Sequence, residues 1–146
     1  IWTWGVIHHS SNTNKILEEI HRVLKPNGKA GIMVYHRSFL YYYVINFIKS
    51  LFNGNFFKYF SIHKINQAHS DGGIARFYSR NEWLKILNKF KIVDSKIFGQ
   101  HTDLIPLPRG RLKNFLGLLI PYFIMKFINT DLKQGYMIYT LIEKKK

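Results

Sequence analysis

IWTWGVIHHSSNTNKILEEIHRVLKPNGKAGIMVYHR, residues 1–37, decides the fold class of this 146-residue chain. Ile1 to His8 is bulky and apolar, interrupted only by Thr3 and Gly5, which is the composition of a strand buried on both faces. Ser10, Ser11, Asn12 and Thr13 then offer side-chain oxygens that can cap free backbone N–H groups. Ile16, Leu17, Ile20, Val23 and Leu24 recur with helical spacing. Lys25-Pro26-Asn27-Gly28 stops that helix and turns the chain, and Lys29 to Tyr35 is a second short apolar strand. Strand, helix of about twelve residues, turn and strand is the βαβ rhythm of a parallel sheet covered by helices.

Beyond residue 37 the pattern is looser. Phe39 to Phe52 is too long and aromatic for an exposed loop and reads as a helix packed over the sheet, or a lid. Residues 56–78 read as irregular, with a turn at Asp71-Gly72-Gly73. Ser79 and Glu82 form an S-x-x-E capping box ahead of Trp83, Leu84, Leu87 and Phe90. Lys91 to Phe98 and Gly135 to Ile142 read as the closing strands. Between them Pro106, Pro108 and Gly110 precede an apolar, helix-like Leu112–Ile128, and Lys144–Lys146 reads as a frayed basic tail. No linker divides the chain, so residues 1–146 are expected to form a single domain.

Composition narrows the function. The 22 Lys+Arg against 8 Asp+Glu give a formal charge of +14, which favours nucleic acid or anionic membrane as partner. The chain is equally crowded with Lys, Asn, Ile, Phe and Tyr, the residues AT-rich codons favour, so charge alone does not select a partner. With no cysteine there is no disulfide scaffold, thiolate zinc site or cysteine nucleophile. No secretory signal is evident, and the longest apolar stretch, Phe115 to Met125, has 11 residues and contains Pro121, short of the ~18 of a membrane span. A cytoplasmic location is the expectation.

Val6-Ile7-His8-His9 followed by Arg22-Val23-Leu24-Lys25-Pro26-Asn27-Gly28 resembles the second half of class I S-adenosylmethionine-dependent methyltransferases, the broad type 11 family. That family has a fourth strand ending in an apolar–His–His turn, a helix closing in R-V-L-K-P-G-G, and a fifth strand. Asn27 replaces the usual Gly, a mild change because Asn also tolerates positive φ. Arg76-Phe77-Tyr78-Ser79 with Asp71-Gly72 upstream is similar to a segment of one branch of these enzymes.

The resemblance implies an α/β, Rossmann-like fold: a parallel sheet with a final antiparallel strand pair and flanking helices. The glycine-rich loop after the first strand and the acidic residue that holds the ribose are both missing, so the chain looks like the C-terminal portion of a larger enzyme. Residues 1–37 would be the cofactor-side strand-helix-strand, and 38–78 and 99–134 variable acceptor or lid segments. The implied cofactor is S-adenosyl-L-methionine, with Trp4, Gly5 and Val6 bordering its methionine end, and the implied partner is a small-molecule methyl acceptor.

Ligands of parallel α/β sheets sit outside the carboxyl ends of the strands, where Trp4 to His9 and Tyr35-His36-Arg37 are expected to converge. An oxygen or nitrogen acceptor calls for a base with a pKa near neutrality; His9 leads, followed by His8 and His36, although for any single histidine helix capping or a hydrogen bond to backbone is the commoner role. Arg37 and Arg76 suit an anionic acceptor or plain surface charge, and Tyr78 an acceptor hydroxyl or plain packing. His69 and His101 lie in loops that can line the acceptor pocket. No metal site is expected, because the seven histidines lack metal-ligand spacing. The apolar segments 39–52 and 112–128 read as core and lid, or as a greasy pocket for a lipid-like acceptor. The competing reading is a non-catalytic basic module that binds RNA or an anionic membrane, although no RNA-binding motif appears.

Overall fold

The computed structural model describes residues 1–70, 73–107 and 110–145; Asp71, Gly72, Pro108 and Lys146, which bear on expectations above, lie outside them. A five-stranded sheet organises the fold. β1 (Trp2–Trp4) runs parallel to β2 (Lys29–His36), with Trp2 opposite Gly31 and Trp4 opposite Met33. The two-residue β3 (Phe77–Tyr78) pairs parallel with the end of the same edge of β2. β5 (Met137–Lys144) lies antiparallel between β2 and β4 (Phe90–Phe98), which gives the order β1-β2-β5-β4.

The connection from β1 to β2 forms as its residues dictate. The Asn12 side chain accepts a hydrogen bond from the Lys15 N–H at 3.0 Å and opens α1 (Thr13–Val23). Asn27 then turns the chain at a φ of +59°. α1 lays Leu17 and Ile20 on one sheet face, against Ala30, Ile32, Val34, Ile138 and Ile142. α5 (Arg80–Ile86) covers the rest of that face with Trp83, whose indole N–H donates to the Thr140 hydroxyl at 3.0 Å. The capping box is present in both directions: the Ser79 hydroxyl accepts from the Glu82 N–H, and Glu82 accepts from the Ser79 N–H. Each fully buried aliphatic or aromatic side chain here is worth roughly 1.5–3 kcal/mol, so this face holds most of the fold's apolar stabilisation.

The opposite face is divided. Near the start of β1 it carries Trp2 and Trp4, stacked at 5.4 Å beside Tyr139 and Phe98, yet 65% and 45% exposed. Towards the carboxyl ends of β1 and β2 two segments rise beside it. The first is a π-helical turn (Phe39–Ile45) continuing into α2 (Asn46–Phe52), then α3 (Asn55–Tyr59) and α4 (Ile62–Ala68). The second is α6 (Arg111–Leu119), α7 (Tyr122–Lys126) and a π-helical turn (Phe127–Asp131).

Several expectations need correction. The first strand stops at Trp4 because Gly5 turns with a φ of +73° and Ile7–His9 forms a 3-10 turn. Within the described sheet it is an edge strand with Trp2 and Trp4 exposed, as is Val6, while Ile7 and His8, in the turn beyond it, are buried. Residues 56–78 are not irregular: they hold most of α3, all of α4 and β3. Leu112–Ile128 is broken at Ile120-Pro121, where the chain is extended and proline has no N–H to donate. The supposed frayed tail is tied down: the Lys144 ammonium donates to the Leu24 carbonyl and that of Lys145 to the Asn88 carbonyl.

Candidate active site

The carboxyl end of β1 is where chemistry concentrates. Gly5 sits in the left-handed region that other L residues enter only at a cost, and a side chain there would meet only the Met33 methyl, at 3.5 Å. Its backbone is therefore open to a ligand. Val6 beside it is exposed. Trp4 is not in this opening; its ring packs along the sheet against Trp2, Phe98 and Tyr139.

The adjacent histidines differ sharply. His8 is fully buried, its ring 3.8 Å from that of Tyr35 and 4.3 Å from that of His9. Among the described residues neither of its ring nitrogens has a hydrogen-bond partner. Burial first, and His9 second, push its pKa down to about 3; the Met33 backbone opposes this without meeting hydrogen-bond geometry. A ring so weakly basic and so enclosed makes a poor proton acceptor. His9 is half-buried, and its Nδ1–H donates to the Ile74 carbonyl at 2.7 Å. Because a carbonyl only accepts, that bond fixes the tautomer and leaves the Nε2 lone pair free.

Alternation along β2 separates residues that sequence alone suggested would converge. Tyr35 points to the face of His8, while His36 points to the other. There His36 is buried, its Nδ1–H donates to the Gly135 carbonyl at 2.7 Å, and burial lowers its pKa. Arg37 pairs with Glu82 at 2.5 Å. The Ser79 backbone, followed by the Ser79 hydroxyl and Arg37, keeps the Glu82 carboxyl below its usual range. Arg76 donates to the Ser10 and Ser11 carbonyls and anchors the loop ahead of α1. The Tyr78 hydroxyl bonds Thr13 at 2.8 Å, within the core. Arg37, Arg76 and Tyr78 do border one cavity of about 370 Å³, but the polar groups of all three are engaged by the protein itself.

A larger cavity, about 670 Å³, opens between α2 and α6. Tyr35 is its link to the histidines: the same ring that packs on His8 lines this space with Phe77, Tyr41 and Tyr136. Most of the rest of the wall is polar, including Lys49, Lys113, Asp103, Asn46, Asn53, Asn114 and Gln100. His69 joins it, with a pKa lowered by burial and then by Lys49. His101 does not line it; its Nε2–H donates to the Gly117 carbonyl at 2.7 Å. The greasy pocket expected from the apolar segments is thus a polar one. Sequence reading missed Lys49 and Lys113 as cavity residues. The available signal was the charge set inside each apolar run, Lys49 in 39–52 and Lys113 near the start of 112–128. Among the described residues no three His, Asp or Glu side chains cluster as a metal site would require, and no helix is long and apolar enough to cross a membrane.

Residues 1–32 match the family model of a methyltransferase domain. The match covers β1, α1 and β2 as far as Ile32, and so includes the opening at Gly5 and both histidines. It supports methyl transfer as the general activity, and the mixed α/β sheet with flanking helices agrees with the Rossmann-like fold that this family implies. No curated protein matches the chain.

Proposed function

We propose that the chain is the C-terminal portion of a class I methyltransferase, acting in the cytoplasm, that moves a methyl group from S-adenosylmethionine to an oxygen or nitrogen of a small polar acceptor. The family match over β1–α1–β2 carries this reading. Two parallel strands followed by an antiparallel closing pair support it. So does the exposed Trp2–Trp4 face, a natural seat for helices of a preceding segment that would also bring a glycine-rich loop.

The residues at hand fit one wall of the cofactor site. The bare backbone of Gly5 and Val6 suits the methionine end, while no carboxylate stands there to hold a ribose among the described residues. Once bound, the sulfonium supplies a methyl group already activated for displacement. The task left to the protein is alignment and proton removal. His9 is the base: its Nε2 would take the proton that the acceptor oxygen or nitrogen gives up. The Nδ1–H···O=C bond to Ile74 steadies the imidazolium that results. His8 and Tyr35 pack the ring in place. The 670 Å³ cavity takes the acceptor, with Lys49 and Lys113 turned towards an anionic or strongly polar portion of it. Residues 1–37 thus serve the cofactor, and 38–78 and 99–134 serve the acceptor.

The test is isothermal titration of S-adenosylmethionine into the longest in-frame polypeptide that contains this chain. Binding should appear there and weaken on Gly5→Val. An extended polypeptide that carries a glycine-rich loop and still ignores the cofactor would end the proposal. In the same protein, His9→Gln should retain cofactor binding and lose turnover.

A further inference from the structure

The helices that border the large cavity wear their apolar residues on the outside. α6 buries Lys113 and Gly117 and exposes Leu112, Phe115, Leu118 and Leu119, with Leu118 83% exposed. A side chain at Gly117 would come within 2.7 Å of the Thr102 methyl, so the helix docks through its small residue while its large ones face out. Tyr122 and Phe123 of α7 are exposed as well, and so are Phe52 of α2, Phe57 of α3 and Phe60 at the end of α3. Large apolar side chains exposed in this number mark an interaction site.

Charge identifies the partner. Segment 39–70 contains Lys49, Lys58 and Lys64 and no acidic residue, and around the apolar face of α6–α7 Arg111 and Lys126 stand against Asp131. An apolar face flanked mainly by cations is the combination that binds anionic bilayers, inserting side chains at the headgroup boundary while lysines meet lipid phosphate. The usual requirement for a polar opposite face is met by tertiary structure, because the opposite side of α6 is seated on the protein. We infer that the outer faces of α2–α3 and α6–α7 dock the protein on an anionic membrane surface, with the mouth of the polar cavity held at the lipid headgroups. The inference holds whether or not the chain transfers methyl groups.

Co-sedimentation of the chain with vesicles of two parts phosphatidylcholine to one part phosphatidylserine tests it, with phosphatidylcholine alone as control. Binding to the anionic vesicles should be strong, retained in part at high salt, and weakened about tenfold by Leu118→Asp. That substitution lies on the exposed side of α6 and leaves the circular dichroism spectrum unchanged. Lys58→Gln with Lys126→Gln should weaken binding to the anionic vesicles alone. Failure to bind, or binding abolished by salt and indifferent to Leu118→Asp, overturns the proposal. Self-association in solution that Leu118→Asp abolishes, without vesicle binding, assigns the face to a second copy instead. Salt-sensitive binding to a homopolymer RNA without vesicle binding assigns it to nucleic acid; either result refutes membrane docking.

Discussion

Helices α1 and α6 are both amphipathic and are seated in opposite senses. α1 turns Leu17 and Ile20 to the sheet and leaves Glu18, Glu19 and Arg22 in water. α6 turns Lys113 and Gly117 to the protein and leaves Leu118 in water. The same hydrophobic pattern thus does two jobs. In α1 it completes a core within the chain, while in α6 it presents an outer surface. Pattern alone gives a helix its apolar stripe; what the rest of the chain offers decides which way the stripe faces.

Mutation separates the two uses. Leu17→Ala should remove about 2–5 kcal/mol of stability, read as a shift of the urea midpoint, and a loss under 1 kcal/mol would mean that α1 does not hold the core. Next in size is acid. His8 and His36 have folded pKa values below the ordinary 6.5, so the unfolded chain takes up protons first. The stability they confer is complete above that value and is lost as pH falls, for His8 down to about 3. For His8 the slope approaches ~1.4 kcal/mol per pH unit, and His36 adds in the same direction. Denaturation curves at neutral pH and at about pH 5 should differ by roughly 2 kcal/mol from His8 alone, and His8→Asn should flatten the difference; identical curves for the parent chain would contradict the burial of these rings. Ser79→Ala opens the capping box of α5 and should cost about 1 kcal/mol, with part of the loss recovered by Ser79→Asp. Smallest of all, Leu118→Ala should leave the midpoint within about 0.5 kcal/mol. A large loss there would place Leu118 in a core and erase the contrast with Leu17.

How much the sequence discloses follows the same division. Asn12, Asn27 and the Ser79–Glu82 box announce their elements because each bonds within a few residues of itself. Leu17 and Ile20 announce a buried face because a strand lies on either side of them in sequence. The candidate site was harder to read, since its geometry depends on partners far along the chain. His9 gains its fixed tautomer from Ile74, 65 residues away, and His36 turns its Nδ1 to Gly135, 99 residues away. The separation of Tyr35 from His36 required only the alternation of a strand, whereas the engagement of Arg37 by Glu82 and of Arg76 by the loop carbonyls required the fold. The polar cavity was hidden for another reason: Lys49 and Lys113 are isolated charges set among apolar neighbours, and averaging over a run conceals them.

The place of β5 also governs how this protein is made. It lies between β2 and β4, which do not pair with each other, and it follows every other strand in the chain. A nascent polypeptide leaving the ribosome would have synthesised β2 and β4 before the strand that joins them, each with an unpaired edge. Until Met137–Lys144 emerges the sheet cannot close, and the open edges of β2 and β4 invite pairing with neighbouring chains. Yield in cells should therefore respond to chaperone supply and to translation speed across the last strand more than to the stability of the finished protein.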